Sequence, residues 1–417
     1  MRERFLSLHR NNTGSVNYLG IPGVFMKARK ITGKVFLLGF LDWDARLFDS
    51  LIPLPDGTSY NAYLIEGSEK TVLIDTVETE FKDVLLDQLK GVKKLDYLVS
   101  LHAEQDHAGA IPSVLAKYPE AKLITSVKAK DMLIDLLLIS KDKIITVDDG
   151  ETLSLGDKTL EFIYTPWVHW PETMCAYLRE DKILFSCDFF GSHIATTDVY
   201  VTDEGRVYEA AKRYFAEIMM PFNKIIIKNI DKVLAKDLSI IAPSHGPLYP
   251  KPSFIIDAYK DWLGSPAHNK VVLPYISMHG STKKMVDYLV SSLVQKGITV
   301  ELFNLAVTDI GKLAIALVDA GTIVIGTPTV LSGPHPNVVY GAYLANALRP
   351  KAKFISIIGS YGWGGKTVEI LAGMIPNLKV EVLTPVLTKG YPLENDFKAL
   401  EVLSEEIEKK HIEQGFK

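Results

Sequence analysis

Five short apolar runs near the C-terminal end of the chain (271–276, 299–303, 322–326, 354–359 and 380–383) alternate with helical patterns at 283–296, 310–320, 338–348, 366–374 and 397–410. Strict strand–helix alternation admits few folds, and it predicts a parallel sheet with helices on both faces. The span, about 150 residues, is the size of one doubly wound domain. At 417 residues the chain is long for one domain, so a second unit is expected before it.

That first unit is patterned differently. Strands are predicted at 35–40, 61–65 and 71–75, the last two forming a hairpin across 66–70. A helical pattern at 81–89 leads to a buried strand at 97–101, and the alternation repeats with a strand at 121–125 and a helix at 127–138. Strands return between 143 and 188, with turns at Asp149-Gly150 and Gly156-Asp157. A helical stretch at 207–236 leads to a strand at 238–242. The Pro- and Gly-richer segment 247–269 reads as a boundary, giving expected domains 1–265 and 266–417.

Composition removes several classes of function. A net charge of −4 provides no footprint for nucleic acid or an anionic membrane. No apolar run is long enough to cross a bilayer, and the first residues lack the apolar core of a signal peptide. The two cysteines, Cys175 and Cys187, form neither a disulfide framework nor a CxxC pair. A cytoplasmic protein is expected.

The chemistry is concentrated in His102-Ala103-Glu104-Gln105-Asp106-His107, between the strand at 97–101 and a helix that opens near Pro112. Two imidazoles and two carboxylates this close are costly to bury unless a cation compensates them. Read as extended chain, the stretch sets His102, Glu104 and Asp106 on one side and turns His107 to the other. A solvated polar loop would account for any one of these residues. The whole set, at the C-terminal end of a buried strand, points to metal binding. Three further residues end predicted strands: His169 in a Pro-bounded loop, Asp188 after 182–187, and His245 before Gly246-Pro247.

The stretch resembles the His-x-His-x-Asp-His loop of the metallo-β-lactamase fold, with Glu104 in place of the second His. An added carboxylate favours a harder metal than zinc, such as iron. With His169, Asp188 and His245 downstream, the chain resembles the flavodiiron proteins, or A-type flavoproteins. The resemblance implies that His102, Glu104 and His169 hold one iron and Asp106, His107 and His245 the other, with Asp188 bridging. It implies no catalytic residue beyond these ligands. Because ligand histidines in that family can be replaced by water, binding by both His107 and His169 stays open. The implied fold is α/β: a metallo-β-lactamase-like αββα sandwich followed by a flavodoxin-like doubly wound parallel sheet of order 2-1-3-4-5.

Three loops of the second unit carry a second constellation. Ser277, Met278, His279, Gly280, Ser281 and Thr282 lead into a helix, offering hydroxyls and backbone N–H groups to a phosphate. The lysine of a nucleotide-triphosphate loop and the GxGxxG of a dinucleotide fold are both missing. Thr327, Pro328 and Thr329 follow the third strand, and Ser360, Tyr361, Gly362, Trp363, Gly364 and Gly365 follow the fourth. Glycines let backbone approach a ligand, and Tyr361 and Trp363 can lie against a flat ring. The three loops resemble those that hold the phosphate and isoalloxazine of FMN in flavodoxins. His279 and His335 are read as exposed loop histidines rather than proton donors.

The resemblance implies an FMN- and diiron-dependent oxidoreductase that reduces O2 to water, NO to N2O, or both. Electrons would come from a separate carrier, with rubredoxin the family-based candidate, through FMN to two irons. A head-to-tail homodimer, or a tetramer, would set the FMN of one chain against the irons of the other. Two alternatives stand beside it. A metal-dependent hydrolase with an accessory flavin domain is opposed by Glu104 and by the flavin loops. An electron carrier with a vestigial metal half is opposed by the full set of ligands.

Overall fold

The computed structural model describes residues 27–264 and 266–416. The first half is built from two facing sheets. The larger has seven strands in the order Arg29–Thr32, Val35–Asp42, Thr58–Glu66, Thr71–Ile74, Tyr97–Val99, Lys122–Ser126 and Ile144–Val147. Its first four strands pair antiparallel and the rest parallel. The smaller has five, in the order Thr152–Ser154, Thr159–Tyr164, Met174–Leu178, Ile183–Cys187 and Ile240–Pro243.

The inner faces of the two sheets share one core, in which Leu37, Tyr63, Ile65 and Val99 meet Leu160, Phe162, Met174 and Phe185. Alternation along each strand leaves a second apolar set on the outer face, which helices must cover. Lys82–Gln88, Ile111–Lys117 and Val127–Leu137 cover the larger sheet through Leu85, Val114 and Leu133. Glu204–Tyr214, Asn223–Leu234 and Pro252–Gly264 cover the smaller through Ala211, Ile226 and Tyr259. The result is the αββα sandwich that the resemblance implied.

The segment 247–269, read as a boundary, contains the helix Pro252–Gly264, with Ile255, Ile256, Tyr259 and Trp262 buried. Its Pro and Gly residues sit at the helix ends, where they punctuate a packed element.

The third sheet runs Thr299–Asn304, Lys270–Tyr275, Thr322–Val330 and Phe354–Tyr361, with a split last position of Glu381–Val382 and Val386–Lys389. These strands pair parallel in the order 2-1-3-4-5. Two of the expected loops begin as strand, because Thr327 and Pro328 pair with Gly359 and Ser360. A Cβ on Gly359 would lie 1.9 Å from the Thr327 carbonyl oxygen, so only glycine fits this register. Ser281–Gln295 and Glu394–Gln414 cover one face. Ile310–Leu317 and Pro336–Leu348 cover the other and join the core that holds Phe215, Tyr259 and Trp262. Arg213 adds a two-pronged ion pair to Asp309, at 3.0 and 2.9 Å, across this seam. Among the described residues, no helix is long and apolar enough to cross a membrane.

Candidate metal centre and phosphate pocket

The sandwich brings the seven predicted metal ligands together at one edge. His102 and Glu104 follow Tyr97–Val99, and Asp188 and His245 follow the parallel neighbours Ile183–Cys187 and Ile240–Pro243. His169 lies in the loop after Thr159–Tyr164. The extended reading of 102–107 needs correction, because Gln105–Ala108 is a helical turn with Glu104 as its N-cap. The Glu104 carbonyl accepts from the backbone N–H of His107 (3.1 Å) and Ala108 (2.8 Å). Helical rather than alternating geometry brings Asp106 and His107 both inward, so His107 is not turned away.

The turns that aim the ligands are tightly held. Cys187, just before Asp188, has a left-handed φ of 53°. Gly246, just after His245, has φ 85°, and a Cβ there would lie 2.1 Å from Ser192 Oγ. Asn61 Nδ2 donates to the carbonyls of Pro243 and Gly246, fixing the His245 turn from the opposite sheet. Left-handed non-glycine residues persist only where surroundings over-determine them, and functional sites are a common place for them.

Asp188 divides the cluster into two. Its Oδ2 lies 3.4 Å from His102 Nε2 and 3.3 Å from His169 Nε2, and Glu104 Oε2 lies 3.0 and 3.1 Å from the same nitrogens. Its Oδ1 lies 3.0 Å from His107 Nε2 and 3.4 Å from His245 Nε2, and Asp106 Oδ2 lies 3.3 and 3.1 Å from those. Each carboxylate oxygen of Asp188 therefore serves a separate group of two imidazoles and one acid. Both oxygens of Asp106, both of Asp188 and Nε2 of His107 are buried without a hydrogen-bond partner. Orphaned groups of this kind call for an ion.

Electrostatics says which sign. Burial opposes charge on every imidazole, yet the carboxylates outweigh it, raising His169 to about 9 and His245 to about 10. His102 is raised too, burial being overcome by hydrogen bonds to Glu104 and Glu172. The cluster demands positive charge. Imidazole protons can supply it, and so can two cations bound to neutral imidazoles. Oxygen and nitrogen donors without a thiolate suit iron better than a soft metal.

Only His169 and Glu104 are appreciably open, their side chains 13% and 11% exposed. They form the mouth. The hairpin Leu47–Phe48/Ile52–Pro53 lies beside it, with Phe48 against the rings of His193 and His245.

Sequence reasoning missed four neighbours. Glu172 Oε1 accepts from His102 Nδ1 at 2.6 Å, and Asp75 Oδ1 accepts from Leu101 N at 2.8 Å. The rings of His193 and Tyr214 pack near His245, at 4.8 and 5.9 Å. Glu172, three residues past His169, carried a readable signal. The other three carried none.

At the tip of the third sheet a cavity of about 170 Å³ is lined by Ser277, Met278, His279, Ser281, Thr282, Pro328, Thr329, Ser360, Tyr361 and Gly362, with Gly390 in addition. Gly280, at φ 92°, turns the chain into Ser281–Gln295. Thr282 and Ser360 hydroxyls bond at 3.0 Å and tie two of the loops together. Five predicted residues do not line it, Gly280 at the turn being the first. Thr327 is buried, its hydroxyl bonded to the backbone of Pro328 and His335. Trp363 is 69% exposed, Gly364 points at open space, and Gly365 packs against Thr329. His335 caps Pro336–Leu348, and His279 is exposed.

Three comparisons bear on this pair of sites. The family profile described as ODP family beta lactamase matches residues 58–246. A protein named nitric oxide reductase from Moorella thermoacetica is 38% identical over 362 residues, covering 85% of this chain and 90% of that one. A rubredoxin-oxygen oxidoreductase from Megalodesulfovibrio gigas is 33% identical, covering 92% and 98%. Among solved structures, the rubredoxin oxygen:oxidoreductase from Desulfovibrio gigas matches with a TM-score of 0.89 at 32% identity, covering 93% of this chain and 99% of that one. The flavodiiron protein from Giardia intestinalis matches with a TM-score of 0.88 at 27% identity, covering 94% and 98%.

Proposed function

The chain belongs to the flavodiiron protein family, and from that premise we propose that it reduces O2 to water, NO to N2O, or both, drawing electrons from a separate small carrier. The two irons would be held by His102, Glu104 and His169 and by Asp106, His107 and His245, with Asp188 between them. FMN would sit over Ser277–Thr282, Thr329, Ser360 and Tyr361. The observation that carries this reading is the division of Asp188, one carboxylate oxygen facing each three-residue group.

When bound, the metal pair and the flavin supply the electrons and an open position for the gas. The chain's own residues prepare the place. Tyr214 is buried, and burial followed by the charge of Asp188 keeps its hydroxyl protonated. Phe48 packs on the ring of His245 and Trp170 stands edge-on to His102 at 4.9 Å, so an aromatic ring flanks each of the two groups. The Ser277, Ser281 and Thr282 hydroxyls would offer donors to a phosphate.

We read 1–265 and 266–417 as the two working domains and a head-to-tail homodimer, alone or doubled into a tetramer, as the active form. Two exposed apolar patches support this. Leu47 is exposed on the hairpin whose Phe48 packs on His193 and His245, and Met278 is exposed in the lining of the phosphate pocket, with Tyr391 next to the lining residue Gly390. Facing such patches across a two-fold axis would bury both twice over. A rubredoxin-type donor is taken over from the name of the Megalodesulfovibrio gigas relative. Hydrolysis is not favoured, since the relatives are named as reductases and oxidases.

The test is metal and flavin analysis of protein from iron-replete cells, followed by anaerobic turnover of the reduced protein with each gas. About two irons and one FMN per chain with consumption of either gas is expected. Protein that carries zinc alone and shows no flavin absorbance would refute the proposal.

A further inference from the structure

The two three-residue groups are alike in composition but not in what stands behind them. His245 sets its Nδ1 2.7 Å from the backbone carbonyl of Ser59, a neutral acceptor. His102 sets its Nδ1 2.6 Å from Glu172 Oε1. Among the described residues, no other histidine of the cluster has Nδ1 within ion-pair distance of a carboxylate.

Glu172 is placed with care. Its side chain is fully buried, and its Oε1 also accepts from Ala103 N at 3.1 Å. Its own carbonyl accepts from Ser126 Oγ at 2.8 Å, which locks the backbone to the start of Val127–Leu137. Trp170 stands edge-on to the His102 ring at 4.9 Å. The second oxygen, Oε2, is buried with no partner. Leaving a buried carboxylate half-satisfied costs free energy. A fold that needed only to orient His102 could have used a carbonyl, as it does for His245.

We infer that Glu172 is a positioning residue that makes the two metal positions unequal, by fixing the His102 tautomer with Nε2 free and by lending that imidazole negative charge. In a low-dielectric setting a charged acceptor strengthens the donor character of the opposite nitrogen. The metal at His102, Glu104 and His169 is then the more tightly held and the harder to reduce of the pair. The inference rests on the proposal that the cluster holds two irons.

The experiment is an anaerobic titration of metal-free, FMN-loaded protein with ferrous iron, alongside Mössbauer spectra of the reloaded protein. Glu172→Gln keeps an acceptor for both N–H groups but removes the charge, and Glu172→Ala removes both. Loss of a partner behind a metal-ligating histidine typically costs roughly 10- to 100-fold in metal affinity. Glu172→Gln should therefore weaken one of two binding steps by about that factor. It should move one of two iron signals and make that iron easier to reduce. Glu172→Ala should lose most of one iron per chain while FMN stays bound. Wild-type binding steps and unmoved spectra in Glu172→Gln would overturn the inference, whether or not Glu172→Ala folds. Wild-type protein that fails to take up two irons would instead overturn the reading on which it stands.

Discussion

The candidate metal site of the first half is buried and dense in charge, its histidine and acid side chains 13% exposed or less, whereas the pocket of the second half is open and lined by hydroxyls and backbone. Both lie at the C-terminal ends of strands, yet they solve different problems. A metal needs specific donor atoms at fixed distances, so identity is imposed residue by residue, and the turn at Cys187 is held left-handed to aim Asp188. A phosphate and a flat ring need N–H groups, hydroxyls and space, which many residues can provide. The first site should therefore fail at single positions, and the second should erode.

The largest break should come from Asp188→Ala. It removes the group common to both halves of the cluster and leaves four imidazoles and two acids without their centre. Gas reduction is expected to fall to background with FMN content unchanged, read by turnover and by flavin absorbance. His169→Ala, at the open mouth where water can take its place, should retain measurable turnover. Equal loss in both variants would erase the distinction between mouth and centre.

Next in size is the loss of the phosphate donors. Ser277→Ala, Ser281→Ala and Thr282→Ala together should weaken FMN by one to three orders of magnitude, at about 0.5–1.5 kcal/mol per hydrogen bond. Iron content should not change, and excess FMN should restore turnover. Each single variant should retain flavin at micromolar concentrations. Complete loss of FMN from one single variant would mean that the pocket is as position-specific as the metal cluster.

How legible each site was in the sequence follows from the same contrast. The parallel sheet of the second half was readable because apolar runs of strand length alternate with helical patterns, whereas its order 2-1-3-4-5 and the αββα sandwich came only with the family resemblance. The seven polar strand-end residues stood out because such groups are costly to bury. The inward turn of His107 was not readable, since six residues cannot declare a single helical turn. Pro252–Gly264 was hidden by its own terminal Pro and Gly. In the second site the loops could be located but not their individual residues. Thr327 turned out to serve the backbone, Trp363 stands away from the cavity, and Gly390 enters it from the bend after Val386–Lys389. Glu172 could have been found as an acid on the same loop as His169.

A smaller effect tests whether the two sites work across chains. Asp188→Ala co-expressed with the phosphate-loop triple variant yields mixed dimers in which intact irons belong to one chain and intact FMN to the other. If electrons pass between chains, isolated mixed dimers should recover about half the wild-type turnover, one of two sites being whole. Mixed dimers with irons on one chain and FMN on the other but no turnover would put the transfer within a chain.

The smallest effect concerns the seam that joins the two regions. Glu217 lies on the π-helical stretch Phe215–Met219, in a pocket lined by Leu51, Ile52 and Pro53 from the first half and Ile310, Tyr340 and Leu344 from the second. Both its carboxylate oxygens are buried without a hydrogen-bond partner. Arg213 lies 3.8 Å away, but its guanidinium is engaged by Asp309, so burial dominates and pushes Glu217 up to about 8. Unfolded, a glutamate titrates near 4.3. Between those values the native state holds a proton that the unfolded chain has released, so this residue costs stability as pH rises from about 5 toward 8 and no further above it. A tenfold change in a protonation equilibrium is worth about 1.4 kcal/mol, so a loss of at least about 1 kcal/mol is expected over that window. Glu217→Gln, uncharged throughout, should match the wild type within about 1 kcal/mol near pH 5 and exceed it near pH 8. Denaturant midpoints at saturating iron and FMN would measure the difference, with the metal-bound imidazoles contributing equally to both proteins. The same pH slope in both would show that Glu217 is ionised in the folded protein and that Arg213 neutralises it. The Arg213–Asp309 ion pair that crosses the seam would then extend to Glu217 as a three-residue charged contact.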